Sequence, residues 1–453
     1  MKKLISVILC TCLMAVSFFC GCFELGTGGK DGADGVDGRD GVDGKDVSIY
    51  EIYEAAKTIE GNENMTLDEF LAEYLSYTND ELNDLFGKRA IINRSLMSGG
   101  SIVTKGSTVA FGSGIFLWVD KDAGDAYVVT NCHVVYDEKR YTFADEITLF
   151  LYGQDTNGIN FNVTTYNYDV NTKYSIPVEI IGASVAYDIA LLKVTGSDVI
   201  KRSNVIAASF TEEEDVYVGE YVYAVGNACG EGVSAADGII SRDSESVDIK
   251  VGGSTQSYRV LRTSAAINHG NSGGGLFNAY GELVAIVNAK DDESNVDNMG
   301  YALPAGCVKR LVKLMYDEYV SNGYRMTSGG GVYKAKLNIT ATISDSFAVY
   351  NESSNLAEIY EKVEITSVDG TPGSVNLRVG DIIKNIKIIS SDGTVKEDVK
   401  INRRHKMNDV LFSVRLGDTV RVTVDRTLAL NGEVIELDVI IDYNSSSYFT
   451  YFN

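Results

Sequence analysis

From about residue 97 to 302 the apolar residues come in short runs rich in Val, Ile, Tyr and Thr, broken by Gly, Asn and Asp. Such runs are too short for helices and suit a pleated, half-buried surface, so they predict a β body. At Pro304 the spacing changes. Val308, Leu311, Val312 and Met315 repeat at helical intervals after a residue preset for a first turn, which predicts a helix packed back on the second half of that body. Thr327-Ser328-Gly329-Gly330-Gly331 reads as a linker. Residues 332–443 then mix periods. Lys336 to Ile343 reads as an edge strand, Val363 to Val368 as a strand, Met407 to Val414 as a helix and Leu416 to Val424 as a further strand. Ahead of the β body, Ile49, Ile52, Tyr53, Ala56 and Ile59 form a helical stripe. Thr66 with Glu69, and Thr78 with Glu81, are capping boxes before apolar residues, so 47–96 is read as short amphipathic helices that need a partner surface.

The first 46 residues follow neither period. Met1-Lys2-Lys3 precedes an apolar run, Leu4 to Phe19, too short to span a bilayer comfortably, which is the pattern of an export signal. It ends in Phe19-Cys20-Gly21-Cys22, similar to a bacterial lipobox, so cleavage before Cys22 and lipidation of Cys22 are expected over plain release. Six Gly-X-Asp triplets run from Gly29 to Asp46. Glycine at every third residue is the collagen requirement, yet the triplets contain no proline. A hydrophilic spacer and a short trimeric stalk both fit. The expected divisions are a signal at 1–21, a spacer at 22–46, helices at 47–96, the β body with its following helix at 97–325, a linker at 326–331, a second domain at 332–443 and a tail at 444–453.

Charge narrows the partners. Forty basic residues stand against 63 acidic ones, a net of −23. That argues against nucleic acid and against a basic membrane-binding face. Four of the seven cysteines lie in the first 22 residues; Cys132, Cys229 and Cys307 are too dispersed for a disulfide framework or a zinc pattern. No metal or cofactor is implied.

The chemistry concentrates in three segments: Thr130-Asn131-Cys132-His133-Val134-Val135, Asp188-Ile189-Ala190-Leu191-Leu192 and Gly270-Asn271-Ser272-Gly273-Gly274. A serine hydroxyl needs an imidazole to take its proton and a carboxylate to fix that imidazole's tautomer. A tight glycine turn can aim bare amides at a developing oxyanion. Only three histidines exist, His133, His269 and His405. His269 lies too close to Ser272 on the same loop to serve as its base, so His133 is the expected base.

On these motifs, together with Gly112-Ser113-Gly114, Ala224-Val225-Gly226-Asn227, Asp237-Gly238-Ile239-Ile240-Ser241 and Gly300-Tyr301-Ala302-Leu303-Pro304, residues 101–314 resemble the trypsin-fold serine proteases of the HtrA/Deg type. The resemblance implies a mainly β chain: a double β-barrel of two six-stranded barrels, followed by a PDZ-like α+β domain. It implies His133 as base, Asp188 as its orienting partner, Ser272 as nucleophile, and Gly270, Asn271 and Ser272 as the oxyanion hole. Gly275, where the family usually has proline, would loosen the turn after the nucleophile. The specificity pocket would be floored near Ala266 and Ile267, with no acid in that stretch, favouring small or medium aliphatic residues over Arg or Lys; Asp291 or Asp292 could still enter. Leu337, Asn338 and Ile339 would form a PDZ carboxylate loop that receives peptide C-termini. The implied partners are polypeptides, unfolded proteins among them, with a homotrimer common in the family. The implied location is the bacterial cell envelope, lipid-anchored. Two other readings stay open: a protease-fold scaffold or chaperone with little cleavage, and a trimeric surface-binding protein. The tail 444–453 fits a loose end, an added strand or a self-ligand.

Overall fold

The computed structural model describes Lys57 and residues 89–451, apart from 155–158, 163–166, 171–172, 212–215, 252–253, 291–298, 327–330, 353–354, 371–375 and 429–431. The export signal, Cys22, the spacer, most of the helical segment, Asp291, Asp292 and most of the linker lie outside the described residues. A helix over 89–96 enters the first strand. Among the described residues no helix is long and apolar enough to cross a membrane.

The first lobe contains β1 (Gly99–Lys105), β2 (Val109–Asp120), β3 (Asp125–Thr130), β6 (Glu146–Leu151), β9 (Ile176–Pro177), β10 (Glu179–Ser184) and β11 (Ile189–Val194). Two side ribbons, β4 (Tyr136–Asp137) with β5 (Thr142–Phe143) and β7 (Ile159–Asn162) with β8 (Asn167–Val170), hang from it. Its seven strands are ordered β10-β11-β3-β2-β1-β6-β9, one more than expected because the two-residue β9 adds to the edge of β6. β11 is buried on both faces except at Lys193, which is why it reads as an unbroken apolar run rather than an alternation. The second lobe closes as a six-stranded barrel of β12 (Tyr221–Gly226), β13 (Ser234–Val251), β14 (Ser254–Thr263), β15 (Gly275–Asn278), β16 (Leu283–Lys290) and β17 (Gly300–Pro304).

One core runs through the seam between the lobes. Ile115, Val129 and Leu191 from the first lobe meet Val225, Phe277 and Ile286 from the second. α3 (Ala305–Ser321), third after the single turns α1 (Cys132–Val135) and α2 (Asp198–Lys201), puts Leu311 and Met315 into the same cluster. The helix therefore covers both lobes, not the second alone. Gly182 of β10 makes this possible: a Cβ there would sit 2.5 Å from Met315 Cβ.

The C-terminal domain holds β18 (Tyr333–Ala335), β19 (Ile339–Asn351), β20 (Leu356–Val368), β21 (Ile382–Ile389), β22 (Val395–Lys400), α4 (Arg404–Val410), β23 (Thr419–Leu428), β24 (Glu433–Asp442) and β25 (Phe449–Tyr451). Its sheet is ordered β19-β20-β21-β23-β24, with β22 also on β21. Met407 and Val410 of α4 close its core over Val363, Ile386, Val420 and Val422. The tail resolves as an added strand: β25 pairs antiparallel with β18, and buried Phe449 meets Tyr333 edge-on at 5.2 Å. The two domains are bolted together. Phe412, just past α4, enters the protease core and meets Tyr187 edge-on at 4.9 Å. Arg259 pairs with Asp409 at 2.6 Å and Arg310 with Glu397 at 2.7 Å.

Candidate active site

β3 ends at Thr130 and the chain turns at once into α1, so His133 leaves the sheet at the seam. Asp188 precedes β11, which pairs with β3, and the pairing carries its carboxyl toward His133. Asp188 is fully buried with φ +48°, a left-handed backbone that aspartate tolerates better than most residues. Asn131 Nδ2 donates to the Asp188 carbonyl at 2.9 Å and holds that turn.

The carboxylate accepts three hydrogen bonds. His133 N–H donates to Oδ1 at 2.8 Å; His133 Nδ1 meets Oδ2 at 2.7 Å; Asn288 Nδ2 reaches Oδ2 at 2.6 Å. Because the carboxylate can only accept, the imidazole proton sits on Nδ1 and Nε2 is left as the basic atom. Burial pulls the His133 pKa down, but the Asp188 charge, the Asp188 hydrogen bond and Glu138 together raise it above its ordinary 6.5.

Ser272 lies on the turn before β15. Its Oγ donates to the Asn288 carbonyl at 2.8 Å rather than to His133. Asn288 thus touches the carboxylate with its amide and the serine with its carbonyl, and Tyr258 OH donates to its Oδ1 at 3.1 Å. The turn is pinned to the first lobe. Ser113 N donates to the Ser272 carbonyl at 2.8 Å, and Ser113 Oγ to the Gly270 carbonyl at 2.7 Å. Gly270 (φ +91°) and Gly273 (φ +83°) have no room for a side chain: a Cβ would come within 2.2 Å of Asn227 O at the first, and of Ser113 O and Thr130 Oγ1 at the second. The Asn271 amide, expected in the oxyanion hole, instead donates to the Asn268 carbonyl at 3.0 Å. Among the described residues the Gly270 and Ser272 amides stay uncommitted, so two donors remain where three were expected.

The trypsin-like peptidase domain family matches residues 112–286. The serine protease Do-like HtrB of Bacillus subtilis (strain 168) is 33% identical over 205 residues, 45% of this chain and 37% of that protein. The serine protease Do-like HtrA of Lactococcus lactis subsp. cremoris (strain MG1363) is 27% identical over 354 residues, 74% of this chain and 73% of the relative. The probable periplasmic serine endoprotease DegP-like of Rhizobium meliloti (strain 1021) is 30% identical over 322 residues, 70% of this chain and 51% of the relative. Residues 112–286 are thus similar to a trypsin-like peptidase domain, and these relatives are serine proteases of the HtrA and DegP type. The chain spans about a third of the first of these relatives, about half of the last and nearly three quarters of the second.

Other expectations meet the structure unevenly. At Gly275 a Cβ would fall 2.5 Å from Phe277 Cε2, so the Phe277 ring fills the space a larger residue would take. Of the pocket pair, Ala266 is exposed, whereas Ile267 is buried in the barrel core with Ala265, Leu276 and Ala302. At the suggested carboxylate loop, Leu337 is buried, Asn338 has φ +54°, and Ile339 opens the edge strand β19. The site residues missed from sequence are Asn288, Tyr258 and Ser113. Ser113 lies inside the Gly112-Ser113-Gly114 motif; Asn288 and Tyr258 sit in strands with no local signature.

Proposed function

We propose that this chain is a serine endopeptidase that hydrolyses polypeptides through an acyl-enzyme. His133 acts as general base, Asp188 orients it and Ser272 attacks the scissile carbonyl. The amides of Gly270 and Ser272 receive the oxyanion. The observation that carries this reading is the buried Asp188 carboxylate, which takes both the Nδ1 and the backbone N–H of His133 and so presents Nε2 as the base. Attack requires Ser272 Oγ to leave the Asn288 carbonyl. That is a turn between staggered wells at the cost of one neutral hydrogen bond, about 1 kcal/mol.

The same rotamer favours a second reading, in which the chain rests as a scaffold until a polypeptide turns the serine. Exposed Ala266 and the uncharged stretch around it support small or medium aliphatic residues at the cleavage point. Edge strand β19, beginning after a left-handed Asn338, supports a PDZ-like domain that captures peptide C-termini by strand addition. Export, the Cys22 anchor and trimeric assembly complete the proposal; a periplasmic name among the relatives supports export. The test is digestion of a chemically unfolded protein by the full chain and by Ser272→Ala, with the new N-termini sequenced. Fragments cut after aliphatic residues by the wild type alone are expected. Equal turnover by both proteins would overturn the reading.

A further inference from the structure

A cleft of about 760 Å³ separates α3 of the protease from β22 and α4 of the second domain. From α3 it receives Lys309, Arg310 and Lys313; from the second domain, Lys396, Lys400, Lys406 and Arg415. Only three carboxylates line it, Asp317, Glu397 and Asp398. In a chain of net charge −23 this is a concentrated basic surface. The carboxylates are engaged: Glu397 with Arg310 at 2.7 Å, Asp317 with Lys313 at 2.9 Å, and Asp398 with Lys387 at 2.7 Å. Buried Asp418 takes Lys396 at 2.7 Å. Among the described residues neither Lys309 nor Lys400 makes an ion pair within 4 Å; Lys400 lies 5.9 Å from the Tyr360 ring, and its charge helps hold the Glu358 carboxyl below its ordinary pKa.

The backbone of β22 is the second observation. Five consecutive residues, Lys396 to Lys400, line the cleft. Side chains of a strand alternate between its faces, so five in a row reach one cleft only when the strand presents its edge. That edge is open: among the described residues β22 pairs with β21 and with no other strand. We propose that the cleft is a docking groove for an extended, acidic segment of a polypeptide, which adds to β22 as a strand while its carboxylates meet Lys309 and Lys400. A free inorganic anion would use the lysines but not the open backbone edge; only a polypeptide offers both the amides and the charge. A segment bound there spans the junction between protease and second domain. It does not involve the edge of β19.

The test is fluorescence anisotropy of a labelled, C-terminally amidated octapeptide alternating Glu and Val, titrated with the full chain carrying Ser272→Ala, which separates this binding from catalysis. Amidation removes the free carboxylate that a PDZ-type loop would seek. Saturable binding is expected. It should weaken at least tenfold from 50 to 500 mM salt and at least tenfold in the double variant Lys309→Glu/Lys400→Glu, whose retained fold is checked by circular dichroism. A Lys-for-Glu peptide should not bind. The same acidic peptide N-methylated at alternate residues should lose binding at least tenfold. Binding indifferent to the charge reversals, or equal for the N-methylated peptide, overturns the proposal. So does inorganic tripolyphosphate binding as tightly as the peptide.

Discussion

At residue scale the site is an arrangement around one buried carboxylate. Replacing Asp188 by Asn keeps the shape but turns one acceptor into a donor, which permits the wrong His133 tautomer; kcat should fall about 10⁴-fold. The pH profile gives the sign. Asp188 holds the His133 pKa above 6.5, so the folded state favours the imidazolium. The stability this gives is fully present below about 6.5 and is lost as pH rises through the folded value. Activity needs the neutral ring, so its rising limb should lie above pH 6.5 in the wild type and move to lower pH in Asp188→Asn, read from kcat/KM against pH.

Asn288→Ala removes a 2.6 Å amide bond to the same carboxylate. A hydrogen bond to a charged group contributes about 1.5–3 kcal/mol, so kcat should fall roughly 10- to 100-fold with KM little changed. His133, Asp188 and Ser272 each sit in a short motif that the sequence displays, and the structure brings His133 and Asp188 into contact. Asn288 and Tyr258 were not: an asparagine and a tyrosine within β strands look like any others until a barrel closes around them. The Asn271 amide was misjudged because its Asn268 partner depends on how the turn folds, which spacing does not reveal.

At the scale of elements, the change of period at Pro304 placed α3, but not its position over the lobe seam, which depends on Gly182 leaving space for Met315. The tail shows the same limit. Its sequence fitted a loose end, a ligand or a strand, and long-range packing chose the strand by burying Phe449 against Tyr333 and Tyr443. Phe449→Ala should therefore destabilise the C-terminal domain by about 3–5 kcal/mol, measured by denaturant unfolding. If the tail only rested on the surface, the loss would be within about 0.5 kcal/mol. Gly275 carries a similar lesson: judged alone it is a flexible substitute for proline, whereas in place it accommodates Phe277.

At the scale of the molecule, the two domains share Phe412, the Arg259–Asp409 pair and the Arg310–Glu397 pair. Both pairs are largely shielded from water. A double-mutant cycle on Arg259→Ala and Asp409→Ala should show coupling of about 1–3 kcal/mol in global stability, and none if the domains unfold independently. The sequence shows a change of pattern after the helix that follows Pro304, but this junction joins residues 150 positions apart and left no trace along the chain.

The central claim is that Ser272 becomes a nucleophile through His133. The direct measurement is labelling of the full chain with a fluorophosphonate probe, beside Ser272→Ala and His133→Ala, with and without unfolded protein. Labelling of the wild type alone is predicted, and its dependence on unfolded protein would report the turn of Ser272 away from Asn288. A wild type that stays unlabelled in both conditions, or a Ser272→Ala variant that still labels, would contradict it.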